Sequence, residues 1–177
     1  MKSEIDPSEK RKALLQFCSL GLSAMPAMTR YFPGIVNVHP FATEYQRIDV
    51  TEYSDALFCL SRLGADLAAP ILLSEVDHED RVHRYSAIWG LSELHVPAAL
   101  PLLFQRVFDP ELRIGYLAID VLESHRAEPG FAETMAALRR ILTSENTLHQ
   151  KRAILAVTQF RDRNSILALI DLLGAAH

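Results

Sequence analysis

Apolar residues recur along the chain with two periods at once. The short period is helical. Leu57, Leu60 and Leu63 lie three apart, and Ala87, Ile88, Leu91 and Leu94 repeat the spacing, which lays one apolar stripe along each helix. The long period is 31 residues. Ala69-Pro70-Ile71-Leu72-Leu73 returns as Leu100-Pro101-Leu102-Leu103-Phe104. The same offset carries Ala56 to Ala87, Leu57 to Ile88, Leu60 to Leu91, Leu63 to Leu94 and Val76 to Val107. It holds once more from Tyr85, Ala87, Ile88 and Leu91 to Tyr116, Ala118, Ile119 and Leu122. One offset shared by so many positions marks an internal repeat.

Each repeat reads as two helices. A short turn joins them, Gly64-Ala65-Asp66 in one copy and His95-Val96 in the next. The second helix is expected to start with a proline in its first turn, where the missing amide costs nothing. An acidic stretch, Asp77 to Asp80 or Asp109-Pro110-Glu111, then caps the following helix, with Asp109 as N-cap and Pro110 as first helical residue. Five pairs are predicted, over about residues 7–31, 52–77, 79–108, 110–143 and 147–173. The first opens on Asp6-Pro7-Ser8-Glu9, a capping signature, and its turn echoes the one at Gly64 with one residue deleted. The fourth has a longer turn, from Ser124 to Gly130.

Residues 32–51 interrupt the pattern. Phe32-Pro33-Gly34 is a turn signal, and 35–38 and 47–50 are short β-rich runs. They pair as a small hairpin, or the segment is a long connector that lays its aromatics on the first helix pair. Solenoid insertions tend to cluster on the binding face, which singles out Phe41 and Tyr45.

The Ala-Pro-Ile-Leu-Leu and Leu-Pro-Leu-Leu-Phe segments carry a family likeness. So do the stretches from Asp80 to Leu94 and from Glu111 to Leu122. Over nearly its whole length the chain resembles bacterial HEAT-repeat proteins, including the type named after phycobilin lyases. That resemblance implies an all-α fold, a right-handed α-solenoid of about five HEAT-like helix pairs with an irregular insertion after the first. It makes 1–177 a single repeat domain. The family motif specifies fold better than function, and its members are mostly scaffolds.

Composition narrows the function. The chain has 177 residues, 49% hydrophobic and 23% charged, with a formal net charge of -4. Residues 52–177 carry 12 Lys and Arg against 17 Asp and Glu, so the repeat body lacks the basic excess of a nucleic-acid binder. Two cysteines, Cys18 and Cys59, make no disulfide framework and fit a reducing, cytoplasmic setting as packing residues. The longest apolar run, Val96 to Phe104, is far below the roughly 18 residues of a membrane span. Lys10-Arg11-Lys12 before Ala13-Leu14-Leu15 mimics a signal peptide, but Glu4, Asp6, Glu9 and Gln16 oppose that reading.

Catalytic signatures are missing. There is no glycine-rich phosphate loop and no nucleophile elbow. No two of the seven histidines stand four apart beside an acidic base, as a zinc hydrolase helix requires. HEAT-type iron hydroxylases use several His-Glu pairs, whereas His78-Glu79 stands alone and reads as a solvated turn. No catalytic residue, metal ligand or cofactor is therefore expected.

Partner binding is the remaining class. Arg106, Arg139 and Arg140 occupy similar late positions on successive second helices, with Arg30 near the matching place and Glu75 breaking the series. Aligned on a concave face they form a basic ridge for acidic groups; otherwise they pair with carboxylates of adjacent repeats. Trp89 and its repeat equivalent Phe58 sit at the edge of the apolar stripe, as partner anchors or as groove fillers. Ile166, Leu167, Leu169, Ile170, Leu172 and Leu173 leave the last helix little polar cover. Something packs on that end, a second copy included, or the chain continues in a longer protein. The expected function is a non-catalytic protein-interaction or scaffold module. The alternatives are a nucleic-acid-binding HEAT-like protein and a lyase or chromophore-handling enzyme.

Overall fold

A computed structural model describes residues 6–36, 40–41 and 53–174. Its described residues are helical, with ten α-helices in chain order. They are α1 (Pro7–Cys18), α2 (Met25–Tyr31), α3 (Asp55–Leu63), α4 (Ala65–Glu75), α5 (Arg81–Glu93), α6 (Leu100–Arg106), α7 (Leu112–Ser124), α8 (Phe131–Ile141), α9 (Thr147–Gln159) and α10 (Ile166–Gly174). Each predicted segment contains two of them. No described helix is long and apolar enough to cross a membrane. The only β pairing among the described residues is an isolated antiparallel bridge between Val36 and Ser54. The segment read as either a hairpin of 35–38 and 47–50 or a long connector, and Tyr45 with it, falls largely outside the described residues.

The chain forms two compact units, Met1–Val96 and Pro97–His177. In the first, α3 packs on α1, α4 and α5, and α4 packs on α5. Its core is the predicted stripe: Leu57, Leu60, Ile88 and Leu91 are almost fully buried, with Leu72 between them. In the second unit, α6 packs on α7 and α8, and α8 on α9. Leu103, Ile114, Ile119, Leu122 and Leu138 fill its centre.

Side chains cap four helices, at Asp6 and Asp80 as the sequence suggests and at Ser54 and Asn146 besides. Asp6 accepts from Ser8 N–H, Ser54 from Leu57, Asp80 from Val82 and Asn146 from His149. Each side-chain oxygen meets an amide that the first helical turn leaves without a partner. Two start signals are corrected. Asp109 accepts from the Glu111 amide at 2.9 Å, but the helix begins at Leu112, so Pro110 stays outside it. Pro26 and Pro101 do open their helices, each after a 3-10 turn. Pro70 instead lies in the interior of α4, because that helix already starts after Gly64 (φ +86°). Its ring is exposed, so water reaches the carbonyl that its missing amide leaves free.

Glycine decides how closely α7 is approached. A Cβ on Gly115 would stand 2.9 Å from the Val107 carbonyl oxygen and 2.9 Å from Cζ of Arg152. Arg152 is 3% exposed, so neither neighbour has room to retreat. Gly115→Ala gains roughly 1 kcal/mol of helix propensity. We expect overpacking to outweigh it and lower stability by about 1–3 kcal/mol, read as a reduced urea midpoint.

Candidate functional site

Four aromatic rings gather in the first unit. Tyr53, fully buried, stacks on Trp89 at 4.8 Å, and Tyr85 meets Trp89 edge-on at 5.6 Å. Phe41 stands edge-on to Tyr85 at 5.6 Å, and the Arg81 guanidinium lies over the Phe41 ring, 4.6 Å from its centroid, as a cation–π partner. The Tyr53 hydroxyl shares a 2.8 Å hydrogen bond with Ser86, and burial pushes its pKa well above the ordinary tyrosine value. Phe41 and Trp89 are thus half-buried parts of one cluster, in which Phe41 packs on α5. Of the two readings for Phe58, anchor or filler, its burial agrees with the filler. It is 3% exposed, with Arg62 over its ring, and belongs to the core.

The arginines mostly face carboxylates. Arg139 donates to both oxygens of Asp162, at 2.8 Å from Nε and 3.2 Å from Nη2. Asp162 also accepts from the Ser165 hydroxyl, and Arg139 holds its carboxyl below the usual range. Arg106 pairs with Asp109 at 3.2 Å, and that carboxylate is buried. Arg140 is exposed. The pairing reading therefore describes Arg106 and Arg139 better than a ridge of open charge.

Three places escaped the sequence. First, a groove of about 420 Å³ lies in the second unit between α6 and α8. Leu100, Pro101, Phe104, Pro129 and Ala137 line it, and Glu133 stands at its rim. Second, Cys18 and Cys59 come together where α3 packs on α1, and the Cys59 thiol donates to the Leu14 carbonyl at 3.9 Å. Burial pushes Cys59 up to about 12, which leaves almost no thiolate at neutral pH. Third, Glu75, His78 and His83 converge at the turn between α4 and α5, each half-buried. His83 Nδ1 lies 2.7 Å from Glu75 Oε2, and the two imidazoles stack at 3.9 Å, only 14° from parallel. Among the described residues these three could hold a metal ion. The sequence offered the spacing of eight between Glu75 and His83, but no helical rule joins residues on either side of a turn.

A scan against protein-family models and a search of curated proteins each returned no match. The geometry of this chain is therefore what the functional reading rests on.

Asp162 gives that geometry a test. Its folded pKa is depressed, so its stabilising effect is present above the unfolded carboxylate pKa of about 3.9 and is lost as pH falls through the folded value. Arg139 is 33% exposed, so solvent screening reduces the effect. Asp162→Ala is expected to cost about 1–2 kcal/mol at neutral pH. Denaturant titrations of both proteins should show that difference shrinking below about pH 4.

Proposed function

We propose that the chain is a non-catalytic protein-binding module. In this reading it is a right-handed α-solenoid of HEAT-like helix pairs, and a partner protein or neighbouring domain covers its apolar end helix. The observation that carries the proposal is α10. None of its described residues is buried, although its sequence is Ile-Leu-Ala-Leu-Ile-Asp-Leu-Leu-Gly. Leu167 is 76% exposed and Leu173 73%, with Ile166 and Ile170 also open. Burying one such side chain stabilises by roughly 1.5–3 kcal/mol, so four left in water form a surface that favours association.

The packing supports the solenoid part. α3 meets α5, which are first helices of successive predicted pairs, and α6 meets α8, which are second helices. Like elements stacking on like is how repeats bury a continuous core. Electrostatics favour a protein partner over nucleic acid. Carboxylates already meet Arg106 and Arg139, and the repeat body is net acidic. The high Cys59 pKa argues against thiol chemistry.

Light scattering after size exclusion tests the reading, on the chain and on a Leu167→Glu/Leu173→Glu variant. We expect a dimer or larger species whose mass rises with concentration, and a monomer for the variant. A monomer in both, with equal binding of a hydrophobic dye, would overturn the proposal.

A further inference from the structure

We propose that Glu75, His78 and His83 bind a divalent transition-metal ion of the zinc type. One ligand atom from each lies within 4.8 Å of the others. Two imidazoles and one carboxylate suit zinc, cobalt or nickel, whereas calcium and magnesium favour all-oxygen sites. Three protein ligands leave at least one position for water or for a partner's side chain.

The surroundings hold the set in place. Glu75 is the last residue of α4, the helix end whose dipole favours positive charge. His83 lies in the first turn of α5, with Phe32 edge-on to its ring at 6.0 Å. His78 sits on the turn between them, and buried Arg84 pins that turn. Its Nη1 donates to the carbonyls of His78 at 2.9 Å and Glu79 at 2.8 Å. The backbone of all three ligands is thereby fixed before any ion arrives, which lowers the ordering cost of binding.

Binding exchanges existing hydrogen bonds for metal bonds. His83 Nδ1 and Glu75 Oε2 share a hydrogen bond, and His78 Nδ1 accepts from the Asp80 amide at 3.0 Å. An ion ligated by the three groups takes lone pairs, so any proton on a ligating nitrogen must leave or move to the other ring nitrogen. At His78 either ligating nitrogen sacrifices the Asp80 hydrogen bond. Zinc–ligand bonds of about 2.0–2.2 Å, directed in the plane of each imidazole, also require His78 to turn out of its stack on His83 and the Glu75–His83 pair to open from 2.7 Å. Binding is therefore of moderate affinity.

Calorimetric titration of zinc chloride into the untagged chain tests this. We expect one equivalent to bind, and the melting temperature to rise by about 3–6 °C at saturation. His78→Asn and His83→Asn should each weaken binding tenfold or more, and Cys18→Ser should leave it unchanged. Circular dichroism checks that the variants fold. Cobalt(II) gives a second readout, through visible absorption bands in the wild type that the His78→Asn variant loses. Absence of stoichiometric uptake overturns the proposal. So does uptake that survives both histidine changes or vanishes in Cys18→Ser.

Discussion

Helices of seven to thirteen residues do not persist in water by themselves. Each must lay its apolar stripe against another, and the rest of the structure follows from that requirement. In the first unit Leu57 and Leu60 of α3 meet the environment that Ile88 and Leu91 of α5 also occupy. In the second, Ile114, Ile119 and Leu122 of α7 lie under Leu103 and its neighbours. Polar residues then mark where helices start. Asp80, Asn146 and Asp6 each hold an amide at a helix start. The exception is α10, in which the stripe exists and no buried face answers it.

The helices were legible because periodicity reports burial directly. Leu57, Leu60, Ile88 and Leu91 share one offset because they share one environment. Where the reading slipped, local chemistry had a second outlet. Asp109 has the residue type of a cap, but its carboxylate also meets Arg106, and the helix starts later than Pro110 implied. Pro70 carries the same signal as Pro101, yet Gly64 allowed α4 to start five residues before it. Phe58 and Trp89 are repeat equivalents with different surroundings, since only Trp89 has Tyr53 stacked on it.

The candidate sites were hardly legible. Arg139 and Asp162 stand 23 residues apart, and Cys18 and Cys59 lie on helices separated by the insertion. A sequence shows that an arginine needs a carboxylate and not which one will arrive. The histidines illustrate the point most sharply. His78 looked like a solvated turn residue, and it is on a turn, but His83 stacks against it from the following helix. Composition found the ligand types, and only the turn between α4 and α5 brought them together.

The repeat offset has a further meaning at that turn. Glu75 and His78 are separated from Arg106 and Asp109 by the same 31 residues that relate the buried leucines. In one copy these positions hold a cation and an anion joined at 3.2 Å, and in the other a carboxylate and an imidazole that meet His83. Helix ends fix the backbone there, and the side chains meet charged or polar partners, the buried Asp109 carboxylate included. The junction is thus a socket whose chemistry differs between the two copies: on one offset the same backbone positions carry an ion pair in one and a carboxylate–imidazole cluster in the other.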